Sequence, residues 1–251
     1  MQFDKIISKK KDKIVYKNGD LAIKVFDKTY SKTDVINEAH NQARIEETNL
    51  KIPHVRQIFE AEEGKWAIAS DFIEGKTLEA LMREIPEEKE KYLDKFIDIQ
   101  LEIQSKRSPQ LTKLKDKVHS KINDSSLDDD TKLELYTRLE SMPMYKNVLH
   151  GDLDPSNVVV TDDNEIYVLD WSHTTQGNPA HDIARTYLLF KLKKQDDLAE
   201  LYLKRVCEKT GLEKNQIKRW FPLVATAQAL NGKQDEWPLL KSWIDMVNDD
   251  E

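Results

Sequence analysis

The chain has 251 residues, of which 34% are charged, and a formal net charge of −7. This length allows one large domain or two lobes with a substantial core, and the excess of acid argues against general attraction to nucleic acid or to an anionic membrane. Such a surface suits a cationic or neutral substrate, the single cysteine excludes an internal disulfide framework, and no apolar run approaches the length of a membrane span.

The first residues, Met1–Lys5, lack the apolar core of a signal peptide. We therefore expect a cytoplasmic protein. We also expect a monomer or a weak dimer, with no nucleic-acid or membrane partner. The chain contains no internal repeats and no low-complexity linker.

Two short strands joined by a tight turn are predicted at residues 13–16 and 21–26. The turn contains Asn18-Gly19, one of the strongest short hairpin signals. Lys24 interrupts the apolar second strand, Leu-Ala-Ile-Lys-Val-Phe. A single lysine of this kind usually lies on a solvated strand face, so Lys24 gains functional meaning only from its context.

The turn before this hairpin, residues 8–12 with the sequence Ser-Lys-Lys-Lys-Asp, contains no glycine. The sequence therefore has no glycine-rich loop here whose backbone N–H groups could surround a phosphate. Either the lysines and Ser8 contribute phosphate contacts or the segment is an ordinary solvated turn. For each individual lysine the second interpretation is slightly favoured.

A helix is predicted after the hairpin, from residue 32 to about residue 47. Glu38 lies in its first half and is the candidate ion-pair partner of Lys24. Glu46 and Glu47, nearer the far end of the helix, are the alternatives.

A second hairpin is predicted from residues 56–60 and 66–70. The segment Asp71-Phe72-Ile73-Glu74-Gly75 follows, in which the glycine permits a bend. Apolar periodicity, N-caps and prolines then predict a series of helices. In chain order they cover residues 77–84, 86–106, 113–122, 129–139, 181–194, 195–210, 214–230 and 237–247.

The stretch of residues 148–170 collects polar side chains around a predicted hairpin. Two apolar runs flank the turn residues Thr-Asp-Asp-Asn. Because a hairpin brings its open ends together, Asn157 and Asp170 are expected side by side, and their oxygens are the hard ligands that Mg²⁺ takes. Asp152 lies five residues before Asn157 and is expected to face whatever the metal holds.

Three motifs occur together in this part of the chain. Residues 150–157, His-Gly-Asp-Leu-Asp-Pro-Ser-Asn, follow the spacing H-x-D-x-x-x-x-N of a kinase catalytic loop. Asp170-Trp171-Ser172 stands where D-F-G would be, and residues 177–185 read Gly-Asn-Pro-Ala-His-Asp-Ile-Ala-Arg. With these motifs the chain resembles the aminoglycoside phosphotransferase and choline kinase family. One motif alone would be no more than a polar turn beside a sheet, whereas three in the right order favour the family.

This resemblance implies an α+β, bilobal protein kinase-like fold. A small N-terminal lobe with an antiparallel sheet would comprise residues 1–74, with a hinge at about 71–75. A larger, mainly helical C-terminal lobe would comprise residues 75–251 and carry the catalytic loop and the acceptor pocket.

The resemblance also implies roles for individual residues. Lys24, which resembles the lysine of V-A-I-K, would hold the α- and β-phosphates of ATP, with Glu38 orienting it. Asn157 and Asp170 would bind Mg²⁺, and Asp152 would be the catalytic base. The main chain of the hinge would contact adenine through three candidate residues, Asp71, Phe72 and Ile73.

Other residues of the motifs are expected to be structural. In the resembling family a buried carboxylate, here Asp182, accepts N–H groups of the catalytic loop, and Arg185 is expected to belong with it. His150 is more readily a packed, hydrogen-bonded ring than a general base, because Asp152 occupies the base position.

The acceptor is expected to be a small molecule. Only eleven residues, 171–181, separate Asp170 from Asp182, which leaves no room for the activation segment on which protein kinases dock peptides. The family forms its acceptor pocket from C-terminal helices, although tryptophans there usually belong to the core. The candidate pocket residues are Trp171, His173, Asp235, Glu236 and Trp237, with Trp220 and Trp243 as further aromatic candidates.

The predicted function is Mg²⁺-dependent transfer of the γ-phosphoryl group of ATP, with GTP not excluded, to a hydroxyl of an aminoglycoside-like antibiotic or a small metabolite. Choline, ethanolamine, homoserine or a sugar are alternative acceptors, because the last third of the chain holds both aromatic and acidic residues. A nucleotide-binding regulatory module without turnover is the rival from another class. Nucleotide hydrolysis would distinguish the two.

Overall fold

The computed structural model describes residues 4–9, 12–62 and 64–248. They form two compact units. The first comprises the chain up to Lys89 together with Pro155–His173, and the second comprises Glu90–Asp154 and the chain from Thr174 onward. The predicted lobe boundary at residues 74 and 75 stays a prediction.

A five-stranded antiparallel sheet forms much of the first unit, in the order β1-β2-β3-β5-β4. Its strands are β1 (Lys5–Lys9), β2 (Lys13–Asn18), β3 (Leu21–Phe26), β4 (Val55–Glu62) and β5 (Lys65–Asp71). The predicted first hairpin is β2–β3, and Gly19 in its turn has φ +58°, which favours glycine. Val15 lies opposite Lys24 in this pair, so their side chains share one face of the sheet.

Helix α1 (Lys32–Glu46) packs against this sheet. It begins at a capping box, in which Ser31 Oγ accepts the Asp34 N–H at 3.1 Å and the Asp34 carboxylate accepts the Ser31 N–H at 3.1 Å. The capping box and the packing fix α1 relative to β3, the strand that carries Lys24. The buried cluster between helix and sheet consists of Phe26, Val35, Ala39 and Ile68.

Two short elements follow the hinge segment, β6 (Lys76–Thr77) and α2 (Leu78–Glu84). The chain then forms a 3₁₀ turn at Pro86–Glu88, and α3 (Lys89–Ser105) begins after it. Pro86 therefore opens a 3₁₀ turn and not the α-helix predicted from residue 86. A proline needs no N–H partner in either kind of first turn, so the sequence does not distinguish them.

The second unit continues with α4 (Leu114–Asp124), α5 (Asp129–Ser141) and β7 (Asn147–Leu149). Asp128 caps α5 by accepting the Thr131 N–H at 2.9 Å. Strand β7 leads directly into the catalytic-loop motif.

The predicted hairpin before Asp170 is present in the first unit as β8 (Val158–Val160) and β9 (Ile166–Val168). Strand β6 pairs with the outer edge of β8. Beyond the last strand pair, the Leu169 N–H donates to Asn157 O at 2.8 Å. The open ends of the hairpin therefore meet.

The remaining elements belong to the second unit. They are β10 (Thr175–Gly177), which pairs with β7, and α6 (Pro179–Leu192), α7 (Asp196–Thr210), α8 (Lys214–Lys218), α9 (Phe221–Ala229) and α10 (Trp237–Asp245).

The prediction of one helix over residues 214–230 was wrong. Two helices, α8 and α9, meet at Arg219 and Trp220, because Pro222 lacks an N–H and its ring excludes a preceding helical turn. Among the described residues, no helix is both long and apolar enough to cross a membrane.

Candidate active site

Lys24 lies between two carboxylates of the first unit. Its Nζ is 2.5 Å from Glu38 Oε1 in α1 and 3.0 Å from Oδ1 of Asp170, which follows β9. The three side chains are between 11% and 19% exposed. Burial by itself would lower the pKa of Lys24, but the charges of Asp170 and Glu38 outweigh it and raise the pKa above its usual value. The ammonium group therefore stays charged and is held in place from two sides.

The two alternatives to Glu38 have other positions. Glu46 Oε1 accepts the Val55 N–H at 2.7 Å, and its Oε2 lies 3.0 Å from His54 Nδ1. Glu47 is the exposed C-cap residue of α1. Of the three acids considered from the sequence, Glu38 is the one bonded to Lys24.

A second lysine, Lys13, was missed by the sequence analysis. Its Nζ lies 3.8 Å from Asp170 Oδ2, and its side chain is 13% exposed. Alternation along β2 would have indicated it, because Lys13 lies two residues before Val15 and Val15 faces Lys24 across the hairpin. Of the three lysines considered for the turn, Lys10 and Lys11 lie outside the described residues, and Lys9 is an exposed residue at the end of β1.

The predicted metal ligands are brought together at the open end of the β8–β9 hairpin. Asp170 has φ +62°, a left-handed conformation that few residues other than glycine adopt and that is concentrated at functional sites. Its Oδ1 also accepts the Ser172 hydroxyl at 3.1 Å. Asn157 and Asp170 line one cavity, and an amide and a carboxylate oxygen are a donor set that fits Mg²⁺. Their roles as ligands stay a prediction.

That cavity has a volume of about 540 Å³, and all of its lining residues belong to the first unit. Its charged side chains include Lys13, Lys24, Glu38 and Asp170. Apolar residues, among them Val15, Ala22, Ile68, Val159 and Leu169, complete the lining. The hinge contributes Asp71, Phe72, Ile73 and Gly75.

The hinge backbone is partly engaged already. The Asp71 N–H donates to His54 O at 3.1 Å, and the Phe72 N–H donates to Asp20 O at 2.8 Å. The Asp71 carboxylate accepts from Arg56 Nε at 2.6 Å. Burial would raise the pKa of this carboxyl, but the Arg56 guanidinium and the His54 N–H hold it below its usual value.

The catalytic-loop motif is braced from within the second unit. Asp182 in α6 is fully buried, and its carboxylate accepts the Gly151 N–H at 2.7 Å and the His150 N–H at 3.3 Å. The buried His150 ring accepts the Asp152 N–H on Nδ1 at 3.3 Å. These bonds fix the loop backbone on both sides of Gly151, which has φ +81°.

Arg185 has a different partner from the one expected. From the sequence it was expected beside Asp182, whereas its Nη2 donates to Asp152 Oδ1 at 2.8 Å. Its Nη1 donates to Gln228 Oε1 in α9 at 2.7 Å. The pairing depends on how α6 packs beside the loop, which no local sequence pattern encodes.

The residues predicted for an acceptor pocket differ in exposure. Trp171 is 1% exposed and donates its indole N–H to Val168 O at 2.9 Å, so its side chain is a core residue and direct acceptor contact is not supported. Trp220 and Trp243 are likewise buried. His173 and Asp235 are exposed, Glu236 is half-buried, and Trp237 is 43% exposed.

Metal binding by side chains alone is not indicated elsewhere. Within the described ranges, no group of three or more His, Cys, Asp or Glu side chains is placed to hold an ion. The donor set at Asn157 and Asp170 is of another kind, since it would be completed by phosphate and water oxygens.

The fold and the arrangement around Lys24 define a protein of the kinase-like class. A family model for the phosphotransferase enzyme family matches residues 13–215. The chain belongs to this family, which confirms the predicted class, a small-molecule phosphotransferase with a protein kinase-like fold. No curated protein sequence matches the chain.

Several solved structures share the fold. An aminoglycoside phosphotransferase, APH(4)-Ia, in complex with ADP and hygromycin B aligns with a TM-score of 0.69 and 17% identity over 96% of this chain and 92% of that one. The choline kinase LicA from Streptococcus pneumoniae aligns with a TM-score of 0.62 and 13% identity over 96% of this chain and 94% of that one. The GDP complex of aminoglycoside 2'-phosphotransferase-IIIa aligns with a TM-score of 0.62 and 16% identity over 97% of this chain and 91% of that one. At these identities the likeness concerns the fold.

Proposed function

We propose that this protein transfers the γ-phosphoryl group of ATP, in the presence of Mg²⁺, to a hydroxyl of a small molecule, with Asp152 as the catalytic base. The observation that carries the proposal is the position of Lys24. Its ammonium group is held between Glu38 and Asp170 on the wall of a cavity that the hinge also lines. Phosphoryl transfer needs such fixed positive charge for the phosphates more than it needs covalent chemistry.

The adenine is assigned to the hinge, and the backbone bonds narrow the choice among its three residues. The N–H groups of Asp71 and Phe72 already donate to other carbonyls. The N–H of Ile73 is therefore the candidate hydrogen-bond donor to adenine. The apolar lining of the cavity would pack against the adenine ring. Solved structures of the same fold contain ADP or GDP, so ATP and GTP should both be assayed.

Asn157 and Asp170 are the residues that would hold Mg²⁺, because both line this cavity and present hard oxygen atoms. The ion would supply neutralisation of phosphate charge. Lys24 and Lys13 would add to that neutralisation, since both lie against Asp170.

Asp152 would orient the acceptor hydroxyl and accept its proton. As the hydroxyl oxygen forms its bond to the γ-phosphorus, the bond from phosphorus to the bridging oxygen breaks and ADP leaves. The carboxylate is held by Arg185, and the Asp152 N–H donates to His150. A base fixed in this way contributes about 10²–10⁴-fold to a rate.

The test is Asp152→Asn, compared with Asp197→Asn, an exposed acid on α7. Nucleotide consumption is measured across aminoglycosides, amino alcohols, sugars and hydroxy acids, and nucleotide binding is measured separately. We expect Asp152→Asn to lose about 10²-fold or more in kcat while it still binds nucleotide, and Asp197→Asn to keep wild-type values. Wild-type turnover in Asp152→Asn would exclude Asp152 as the catalytic base. Mg²⁺-dependent nucleotide binding without turnover of any acceptor or of water would instead favour a regulatory module.

A further inference from the structure

Three polar side chains of α1 attach this helix to the rest of the first unit. They follow each other at intervals of four residues and so share one helix face: Glu38, Gln42 and Glu46. Glu38 Oε1 lies 2.5 Å from Lys24 Nζ on β3. Farther along α1, Gln42 Nε2 donates to Pro53 O at 2.6 Å. The Glu46 carboxylate accepts the N–H of Val55, the first residue of β4, at 2.7 Å. The spacing between α1 and the sheet is therefore fixed at both halves of the helix.

Two small side chains of the sheet lie beside these attachments. Ala22 of β3 is paired with Ser70 of β5. The neighbouring pair on the same two strands that shares their face is Lys24 with Ile68, because side chains two residues apart on a strand point to one side. Ile68 belongs to the buried cluster between α1 and the sheet, so this is the face that α1 covers. A methyl group and a hydroxymethyl group leave space here that longer side chains would fill.

The cavity of the candidate active site extends into this space. Besides the hinge and the charged residues around Lys24, its lining includes a further set, which defines the inner subsite: Ala22, Gln42, Pro53, Ile68 and Ser70. Pro53 and Ile68 are buried and give the inner subsite apolar walls, whereas Ser70 and Gln42 add a hydroxyl and an amide. Because the bonds of α1 hold the helix away from the two small residues, the inner subsite is preformed, as sites for small molecules usually are.

A purine at the hinge would direct its position 6 towards the inner subsite. Ser70 immediately precedes Asp71, the first hinge residue, and the Ile73 N–H is the proposed donor to the base. Adenine accepts such a bond at N1, which lies between its 6-amino group and its C2–H group. The amino group is a donor and needs an acceptor, which the Ser70 hydroxyl can provide. The pose that satisfies the amino group therefore places it beside Ser70.

We propose that the inner subsite receives a substituent on position 6 of the purine, so that this protein binds N6-substituted adenine nucleotides as well as ATP. The inference rests on the proposed function and names a class of nucleotide for its site. An apolar substituent would contact Pro53 and Ile68, and the remaining N–H on N6 would still donate to Ser70. A longer side chain at position 70 would occupy the same space and exclude the substituent.

The experiment measures the Kd values of ATP and of N6-benzyl-ATP for the full chain with Mg²⁺, by displacement of a fluorescent ATP analogue. Ser70→Met fills the inner subsite, and Ser70→Ala leaves it open. Ser242→Met is the matched control, because Ser242 is an exposed residue of α10 whose hydroxyl donates to Leu239 O at 2.7 Å. The quantity compared is the ratio of the Kd of N6-benzyl-ATP to that of ATP, in which any general change of nucleotide affinity cancels.

The wild-type ratio should be no more than about threefold, because burial of the benzyl group between apolar walls offsets the entropy lost in ordering it. Ser70→Met should raise the ratio about tenfold or more, because the methionine and the benzyl group would overlap. Ser70→Ala and Ser242→Met should keep the wild-type ratio. Lys24→Met should weaken the binding of both nucleotides alike and leave the ratio unchanged, because both carry the same phosphates.

A wild-type ratio above about threefold, or a ratio that Ser70→Met does not raise about tenfold, would overturn the inference. Binding of ATP in the same experiment would leave the proposed function standing. The proposed function itself would be overturned if the wild type showed no Mg²⁺-dependent binding of either nucleotide. If circular dichroism shows that Ser70→Met does not fold, Ser70→Val replaces it under the same criterion, because valine is also larger than serine and is favoured in strands.

Discussion

Arg185 Nη2 lies 2.8 Å from Oδ1 of Asp152, the residue that we propose as the base. The other arm of the guanidinium donates to Gln228 Oε1 at 2.7 Å, and Gln228 Nε2 donates to Glu236 Oε2 at 2.7 Å. A continuous chain of hydrogen bonds thus connects Asp152 to α9 and to the segment before α10. The orientation of Asp152 is therefore linked to Glu236, which the sequence associated only with acceptor binding.

Replacement of Arg185 by Met should lower kcat/KM by about 10–100-fold, because a hydrogen bond to a charged group contributes about 1.5–3 kcal/mol. Gln228→Leu should lower kcat/KM by a smaller factor, because the Arg185–Asp152 ion pair remains. Both are measured by steady-state kinetics with a turned-over acceptor and by nucleotide binding, which should not change. Arg219→Met is the matched control, because that exposed arginine donates to the Ser141 hydroxyl at 3.1 Å. Equal kinetics in Arg185→Met and wild type would show that Asp152 needs no such support.

Replacement of Lys24 by Met should weaken nucleotide binding about tenfold or more, through loss of a charged phosphate contact. Glu38→Gln should have a smaller effect, because Asp170 still holds the ammonium group at 3.0 Å. Displacement of a fluorescent ATP analogue measures both. Lys32→Met, which alters a lysine over the Trp66 ring, should bind as wild type does. Unchanged affinity in a folded Lys24→Met protein would exclude Lys24 as a phosphate ligand.

Gly177→Ala should destabilise the protein by about 1–3 kcal/mol, the usual cost of overpacking. The added Cβ would lie 2.4 Å from Leu114 Cβ and 3.1 Å from Leu149 Cδ1. Urea unfolding measures the change. Gly19→Ala is the comparison, because it adds left-handed strain of about 1 kcal/mol but meets no atom within 4 Å. If Gly177→Ala lowers the free energy of unfolding no more than Gly19→Ala does, then α4 moves freely away from β10.

Stability should depend on pH through His181. Its pKa is lowered from 6.5 to about 3 in the folded chain, so acidification from pH 8 to pH 5 protonates the ring in the unfolded chain only. The folded state therefore loses about 2 kcal/mol from this group over that interval.

The measurement is urea unfolding at pH 8 and pH 5 for wild type and His181→Gln. The variant should lose about 2 kcal/mol less than the wild type between the two pH values, whatever its stability at pH 8. His40→Gln, at an exposed position, should keep the wild-type difference. The same pH dependence in His181→Gln and wild type would contradict a neutral buried ring.

Much of the first unit follows from short-range sequence signals. The Asn18-Gly19 turn predicted the hairpin that carries Lys24, and two apolar runs on either side of a polar turn predicted the hairpin that ends before Asp170. These signals suffice because turn geometry and strand pairing within a hairpin are set by neighbours in the chain. The break within residues 214–230 also has a local cause, because Pro222 lacks the N–H that a continuous helix would need at this position.

The interaction partners of the charged residues were harder to predict from the sequence. Lys24 and Asp170 are 146 positions apart, and Arg185 and Gln228 are 43 apart. Lys13 was not a candidate from the sequence. Its significance comes from burial and from the charge of Asp170, which a distant hairpin brings near it.

The sequence by itself determined the fold class, the family and the order of the motifs, because these depend on residue type, spacing and local conformational preference. Only the tertiary structure decided that Arg185 binds Asp152 and not Asp182, that Trp171 is a core residue, and that Lys13 lies beside Asp170. Electrostatic interactions depend on distance in space and on exclusion of water. Both quantities are fixed only when helices and strands from distant parts of the chain have packed together.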